Sequence, residues 1–380
     1  MCGVNTDGPD ARGLRVAVAG TGAFGKNHLR VYRELEAAGH GVALVAAIEP
    51  DAARAAETAE KYAIPVFASV DELLSADLKL DAASVAVPTV HHHAVAAPLL
   101  DAGLDLLVEK PLAASLAEAD DLLGRAEKGK RILQPGHLER FNPAVLAVET
   151  KLRRPMFFEA HRLSIFTPRA LDVDVVLDLM IHDLDIVLTF TRSPVREVRA
   201  VGLPILSPKT DIANVRVEFE SGCVANFTAS RVSSEKVRKL RFFEPRQYVS
   251  IDYARRELLI VRMDAEAGLP PAIAVALASG KVDPALMAKF AASAMDAKGP
   301  AAGPAAGPAP GLTFSKPPVE QGEPLKLELL SFLNAVRTQS APQVTARQGR
   351  AALELALEIQ ASMAAHAERA GLGDFFKSAG

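Results

Sequence analysis

The stretch "LRVAVAGTGAFGKNHL", Leu14 to Leu29, constrains this chain more than any other. A short apolar run ends in Gly20-Thr21-Gly22-Ala23-Phe24-Gly25, and a segment of helical period follows at once and stops at Gly39. Gly-x-Gly-x-x-Gly between a strand and a helix is the fingerprint of a dinucleotide-binding βαβ unit. The first glycine permits a tight turn, the second lets the main chain approach a pyrophosphate, and the third lets the helix pack close to the strand. Ala23 and Phe24 complete the turn and are expected to line the cofactor with Gly20, Gly22 and Gly25. The helix start adds free N–H groups and the positive end of its dipole.

The pattern continues. "VALVAAIEP", "DAARAAETAEKY", "DAASVAVP", "HAVAAPLLDAG", "LDLLVEKP" and "SLAEADDLLGRAEKG" alternate buried-strand and helix signals up to about Gly136. Such alternation predicts a doubly wound parallel sheet, a Rossmann domain over residues 14–136. Glu49 ends the second strand, 24 residues after Gly25. A carboxylate there accepts hydrogen bonds from a ribose diol and repels a 2′-phosphate, so NAD is the expected cofactor rather than NADP. Asp51 is the alternative acid.

Beyond Gly136 the texture changes. "PMFFEAHRLSIF", "IANVRVEFESGCVANFTASRV", "KLRFFEP" and "RQYVSIDYARRELLIV" follow in quick succession and predict an open, mostly antiparallel sheet. The fold class expected is therefore α/β plus α+β. The domains expected are a loose tail over 1–13, the Rossmann domain, a substrate and oligomerisation domain over 137–345, and a C-terminal helix over 346–380 packing back on the body. Within the second domain, residues 291–322 hold "GPAAGPAAGPAPG", which reads as a flexible insertion.

Composition excludes several classes. With 380 residues and 49% hydrophobic content the chain can bury two cores. A net charge of -3 gives no electrostatic footprint for nucleic acid. No run of 18 apolar residues predicts a membrane span. Two distant cysteines, Cys2 and Cys223, fit neither a disulfide framework nor a cysteine zinc site. The first residues carry no apolar export segment, so a cytoplasmic location is expected.

Three places could carry chemistry. In "VEKP", Glu109 and Lys110 close a strand of the parallel sheet, where ligands of such sheets bind. A partly buried lysine there can relay a proton to or from a substrate oxygen. "DLMIH" sets Asp178 and His182 four residues apart, on one face of a helix, which is an acid/base arrangement. A metal site using Asp178, His182 and Asp185 lacks the further His or Cys ligands that would close it, so no metal is expected. "HHH" at 91–93 reads as the loop after "ASVAVP", with one histidine facing the cofactor cleft.

Taken together, "GTGAFGKNH", "AVPTVHHH", "VEKPLAASLAEADDLL" and "DLMIHDLD" resemble the Gfo/Idh/MocA oxidoreductase family over roughly residues 14–260 and 323–365. The resemblance implies hydride transfer between NAD and a sugar or cyclitol carbinol carbon, with Lys110, Asp178 and His182 as catalytic residues. It places Pro88 and His92 at the cofactor. Val87 stands where the family usually has threonine, and Met180 where it usually has glycine. "GHLERFNPA", "EAHRLSIF" and "DVVLDLMIHDLDIVL" are similar to family members that oxidise UDP-N-acetylglucosamine at C3. A diphosphate needs cations, and Arg140, Arg162 and Arg169 are the candidates, beside His182 at the sugar. The alternatives are a free sugar or inositol as substrate, or a non-catalytic dinucleotide sensor. Aromatic residues on the second sheet predict a homodimer or homotetramer.

Overall fold

The computed structural model describes residues 13–149, 151–166, 173–263, 305–306, 312–319 and 321–376. They divide into two compact units, one within Met1–Phe141 and Glu323–Glu354, the other within Asn142–Gly322 and Leu355–Gly380.

The first unit begins with β1 (Leu14–Ala19), α1 (Gly25–Ala37), β2 (Val42–Ile48), α2 (Ala52–Tyr62), β3 (Val66–Phe67) and α3 (Val70–Ser75). It continues with β4 (Ala82–Val85), α4 (His92–Asp101), β5 (Asp105–Glu109), α5 (Leu116–Gly129) and β6 (Leu133–Gly136). The strands lie in the order β3-β2-β1-β4-β5-β6. All are parallel, so both faces need helical cover and the strands are mostly apolar, with Arg15, Ser84, Asp105, Glu109 and Gln134 as the polar exceptions. The order reverses between β1 and β4, the place where open parallel sheets bind ligands. Ser69 caps α3 by accepting from the Glu72 amide at 3.2 Å, while Glu72 accepts from the Ala68 amide at 2.9 Å. Ser115 and Glu118 repeat this reciprocal box at α5.

The second unit opens with α6 (Pro143–Glu149), β7 (Phe157–Leu163) and α7 (Ile181–Thr191). Then come β8 (Val195–Leu203), β9 (Ile212–Phe219), β10 (Val224–Ser230), β11 (Val237–Glu244), β12 (Gln247–Asp252), β13 (Glu257–Met263), β14 (Ala305–Ala306) and β15 (Leu312–Ser315). Among the described residues these strands form one sheet in the order β14-β15-β13-β12-β11-β7-β10-β9-β8. Only β7 and β10 pair in parallel; the other neighbours are antiparallel. Strand β7 alternates buried and half-buried along its whole length. Phe158, Phe227, Phe242 and Val249 are buried on one side, where Phe190 of α7 meets Phe242 at 6.0 Å between ring centroids.

Two further helices close the chain, α8 (Pro324–Thr338) and α9 (Ala346–Arg369), the unit boundary falling inside α9. Two boundaries differ from the sequence reading. Helix α8 lies with the first unit, not the second: Leu325, Leu329, Phe332 and Leu333 share one core with Val16, Val18, Leu29 and Tyr32. The stretch 291–322 is not loop throughout, because Leu312–Ser315 pairs with Ile260–Met263 of β13. Residues 1–12, and 291–304, 307–311 and 320 of the insertion, lie outside the described residues.

Candidate active site

The glycine turn is built as its sequence requires. Gly20 holds φ +87°, and a Cβ there would lie 2.8 Å from the Ala86 carbonyl oxygen. A Cβ on Gly25 would fall 1.9 Å from the Gly20 carbonyl oxygen. Around Gly22 there is nothing within 4 Å, so the main chain at that point is open to a ligand. Asp51, Ser69 and Ser115 cap α2, α3 and α5 with side chains, whereas α1 has no such cap. The Lys26 and Asn27 amides bond to the Gly22 and Phe24 carbonyls within the turn, and this uncapped helix start beside the open main chain at Gly22 fits a pyrophosphate.

Glu49 stands at the end of β2 and is 4% exposed. It accepts from the Thr21 amide at 3.1 Å, the Thr21 hydroxyl at 2.9 Å, the Asp51 amide at 3.0 Å and Arg54 Nη2 at 2.8 Å. Burial alone would raise its pKa; Arg54 and the other donors overrule that and bring it to about 2. The carboxylate thus clamps the turn from below. Asp51, the alternative acid, is spent on capping α2 through the Arg54 amide.

Lys110 follows β5 and is half-buried. The Lys110–Pro111 peptide is cis. Two buried side chains support it. Glu109 Oε1 lies 2.9 Å from His28 Nε2 on α1, in a slot where a Cβ on Gly136 would collide at 2.8 Å. His92, 1% exposed, sets Nδ1 2.8 Å from the Pro111 carbonyl and Nε2 3.0 Å from the Val87 carbonyl. Burial holds its pKa below the ordinary value, against the pull of those carbonyls. His92 therefore ties the β4 loop, next to Pro88, to the loop after Lys110 rather than facing a cleft. Glu109 is likewise turned onto His28.

In the second unit, Asp178 sits in a single π-turn, Val176–Met180, that runs straight into α7, with Ile181 N–H bonded to the Val176 carbonyl. The helix expected over this stretch thus opens on a π-turn before becoming α-helical; π-turns of this kind are frequent at functional sites. Asp178 and His182 are both half-buried. Arg162 is not available as a phosphate ligand. Its guanidinium grips Asp183 through Nε at 2.8 Å and Nη2 at 3.0 Å, lies over the Tyr253 ring, and is 3% exposed. Arg140 is 4% exposed on the turn Leu138–Phe141 of the first unit. Arg169 lies outside the described residues. Among the described residues no three His, Cys, Asp or Glu side chains are grouped to hold a metal, and no helix is long and apolar enough to cross a membrane.

Thr21, His28 and Arg54 escaped the sequence reading. Thr21 had a signal, as the residue inside Gly-x-Gly; His28 and Arg54 meet acids 81 and 5 residues away, which no local pattern announces.

An open glycine turn at the switch point of a parallel sheet, with a buried acid at the next strand, defines a dinucleotide-binding Rossmann protein. The profile "Oxidoreductase family, NAD-binding Rossmann fold" matches residues 14–137, and "GFO/IDH/MocA C-terminal domain" matches 144–246. The chain belongs to the Gfo/Idh/MocA oxidoreductase family, and its cofactor is NAD. It is 38% identical over 248 residues to a UDP-N-acetylglucosamine 3-dehydrogenase of Acidithiobacillus ferrooxidans, covering 65% of this chain and 76% of the relative. A solved structure of that enzyme superposes with a TM-score of 0.76 at 31% identity, over 93% of this chain and 98% of the other. An inositol 2-dehydrogenase of Corynebacterium glutamicum is 29% identical over 217 residues, 53% of this chain and 59% of the relative.

Proposed function

We propose that this chain oxidises a nucleotide sugar at a carbinol carbon, with UDP-N-acetylglucosamine as substrate and C3 as the carbon. The observation that carries this reading is the likeness to the Acidithiobacillus enzyme, which extends over 98% of that enzyme's solved chain. NAD would be held by Gly20, Gly22, Ala23, Phe24 and Gly25, with Glu49 and Pro88 beside them. The chemistry it contributes when bound is hydride acceptance. The chain's own part is the proton. Lys110 or His182 takes it from the sugar hydroxyl, and Asp178 orients His182 and stabilises its charged form. Arg140 and Arg169 remain the cations proposed for the diphosphate, Arg140 having to turn outward from a site where it is 4% exposed; Arg162 is withdrawn from that role because Asp183 occupies its fork.

The test is mass detection of a sugar nucleotide lighter by two hydrogens, with NADH, from protein, NAD and UDP-N-acetylglucosamine. Lys110→Met should lower turnover by ~10²–10⁴ while NAD still binds. Turnover within a few fold of wild type would remove Lys110 from catalysis. A second reading, a free sugar or inositol, is favoured by the likeness to inositol 2-dehydrogenase. Inhibition by UDP alone separates them, since a free-sugar enzyme ignores it. Retention of Lys110, Asp178 and His182 argues against a non-catalytic sensor.

We also propose a homodimer or homotetramer formed through the second sheet. Phe157, Phe243 and Tyr248 make a row there, with centroids 5.6 and 5.2 Å apart, on the side opposite Phe158 and Phe242. A monomeric mass at micromolar concentration would refute this. Two cysteines in 380 residues accord with a reducing cytoplasm.

A further inference from the structure

The catalytic assignment does not use one densely bonded cluster in the second unit. Asp211, with no exposed surface, precedes β9, and Arg231, 5% exposed, follows β10. Arg231 Nε donates to Asp211 Oδ1 at 2.7 Å. The other Asp211 oxygen accepts from the amides of Ile205, Leu206 and Ser207 at 2.8, 2.6 and 2.9 Å, and the Ser207 hydroxyl donates to Oδ1 at 2.7 Å. The remaining Arg231 donors are turned elsewhere. Nη1 reaches the Val173 carbonyl at 2.8 Å, and Nη2 reaches Ser207 Oγ at 3.3 Å and the Thr210 carbonyl at 3.4 Å. That Thr210 carbonyl also accepts from the Val175 amide at 3.0 Å.

Val173 and Val175 are the residues just ahead of the π-turn that carries Asp178. Asp174 between them accepts from the amides of Val176 and Leu177 at 2.8 and 3.1 Å and receives a bond from Gln360. A π-turn is one of two registers open to a helix, and its hydrogen bonds alone do not select it. Fixed carbonyl and amide groups on the preceding residues do. The ion pair is also overbuilt for a mere surface tie: both members are buried and their donors and acceptors are met by main-chain groups of three separate segments.

We infer that Asp211 and Arg231 are positioning residues for the reaction: they anchor Val173 and Val175, hold the π-turn in register, and so set where Asp178 and His182 project. This rests on the roles proposed above for Asp178 and His182. Removing the anchor lets the segment slip, and a shift of about 1 Å in reacting groups can cost up to ~10²-fold in rate. NAD binding, built by the other unit, stays as it was.

The experiment compares the wild type and Arg231→Lys, as full chains, with NAD and UDP-N-acetylglucosamine. It reads kcat, the KM for NAD, and amide hydrogen exchange over residues 173–182. The expected result is a kcat about tenfold lower or worse, an unchanged KM for NAD, and faster exchange confined to that segment. A folded variant with wild-type kcat overturns the inference, as does a fall in kcat with exchange unchanged there. If Arg231→Lys does not fold, Ser207→Ala removes one hydroxyl bonded to both partners. It should lower kcat about threefold, the scale of one ordinary hydrogen bond; unchanged kcat overturns the inference. If the wild type does not oxidise the sugar nucleotide, the proposed function fails on its own. Exchange then decides the anchor, faster exchange upholding it and unchanged exchange overturning it.

Discussion

The Glu49 carboxylate holds both the amide and the hydroxyl of Thr21, at 3.1 and 2.9 Å. The end of β2 is thereby fastened to the middle of the glycine turn. Both Glu49 oxygens are bonded within the protein, so in the role proposed for it Glu49 would act on the cofactor chiefly by shaping the turn. Glu49→Ala should weaken NAD by about tenfold and reduce discrimination against NADP, as read by titration with both cofactors. Glu49→Gln should also lose stability at neutral pH. The sign follows from the folded pKa, about 2 against an ordinary 4.5. A depressed acid stabilises the fold above its unfolded pKa, and that contribution disappears as pH falls from about 4.5 toward 2. The melting difference between wild type and Glu49→Gln should therefore shrink across that interval. A constant difference would place the effect in packing.

The glycines of the turn should separate folding from binding. Gly22→Ala meets nothing within 4 Å, so its stability should stay within about 0.5 kcal/mol of wild type. Its KM for NAD should nevertheless rise by roughly tenfold, since the added methyl occupies the ligand's path. Gly20→Ala should do the reverse first, lowering the melting temperature. It combines φ +87° with a 2.8 Å approach to the Ala86 oxygen, a cost above ~1 kcal/mol. Equal behaviour of the two variants would refute the cradle.

Gly136 makes room for a carboxylate rather than for a turn. Gly136→Ala places a methyl 2.8 Å from Glu109 Oε1, which must then leave His28. We expect a loss of ~1–3 kcal/mol, and a kcat reduced about tenfold through the displaced neighbour Lys110. Thermal melts and steady-state rates check both parts.

Arg162 and Asp183 form a buried bidentate pair whose members are 3% and 2% exposed. Arg162→Met strands the Asp183 charge and should cost about 3–5 kcal/mol. The double variant Arg162→Met, Asp183→Leu should recover most of that loss in chemical denaturation. No recovery would mean that Arg162 contributes more than this pair, with its stacking over the Tyr253 ring the contact left to test.

Much of the Rossmann unit is legible because its signals are local. The apolar run before Gly20, the Ser-x-x-Glu boxes at Ser69 and Ser115, and the strand–helix spacing each act within about ten residues. Arg162 was legible in part. In "FFEAHRL" it shares parity with Phe158 and Ala160, both buried, so the alternation places it on the inward face of β7. The identity of its partner, 21 residues on, was not in that pattern.

The amino-acid sequence by itself determined the parallel and antiparallel sheets, the glycine turn and the acid after β2, because period, turn chemistry and spacing are short-range properties. Only the tertiary structure decided that α8 completes the first core, that Leu312–Ser315 joins the second sheet, that His92 and Glu109 are spent on internal bonds, and that Asp178 rides a π-turn. An amphipathic face specifies that a segment must be covered, not by what. A buried polar group specifies that it needs a partner, and the fold chooses which.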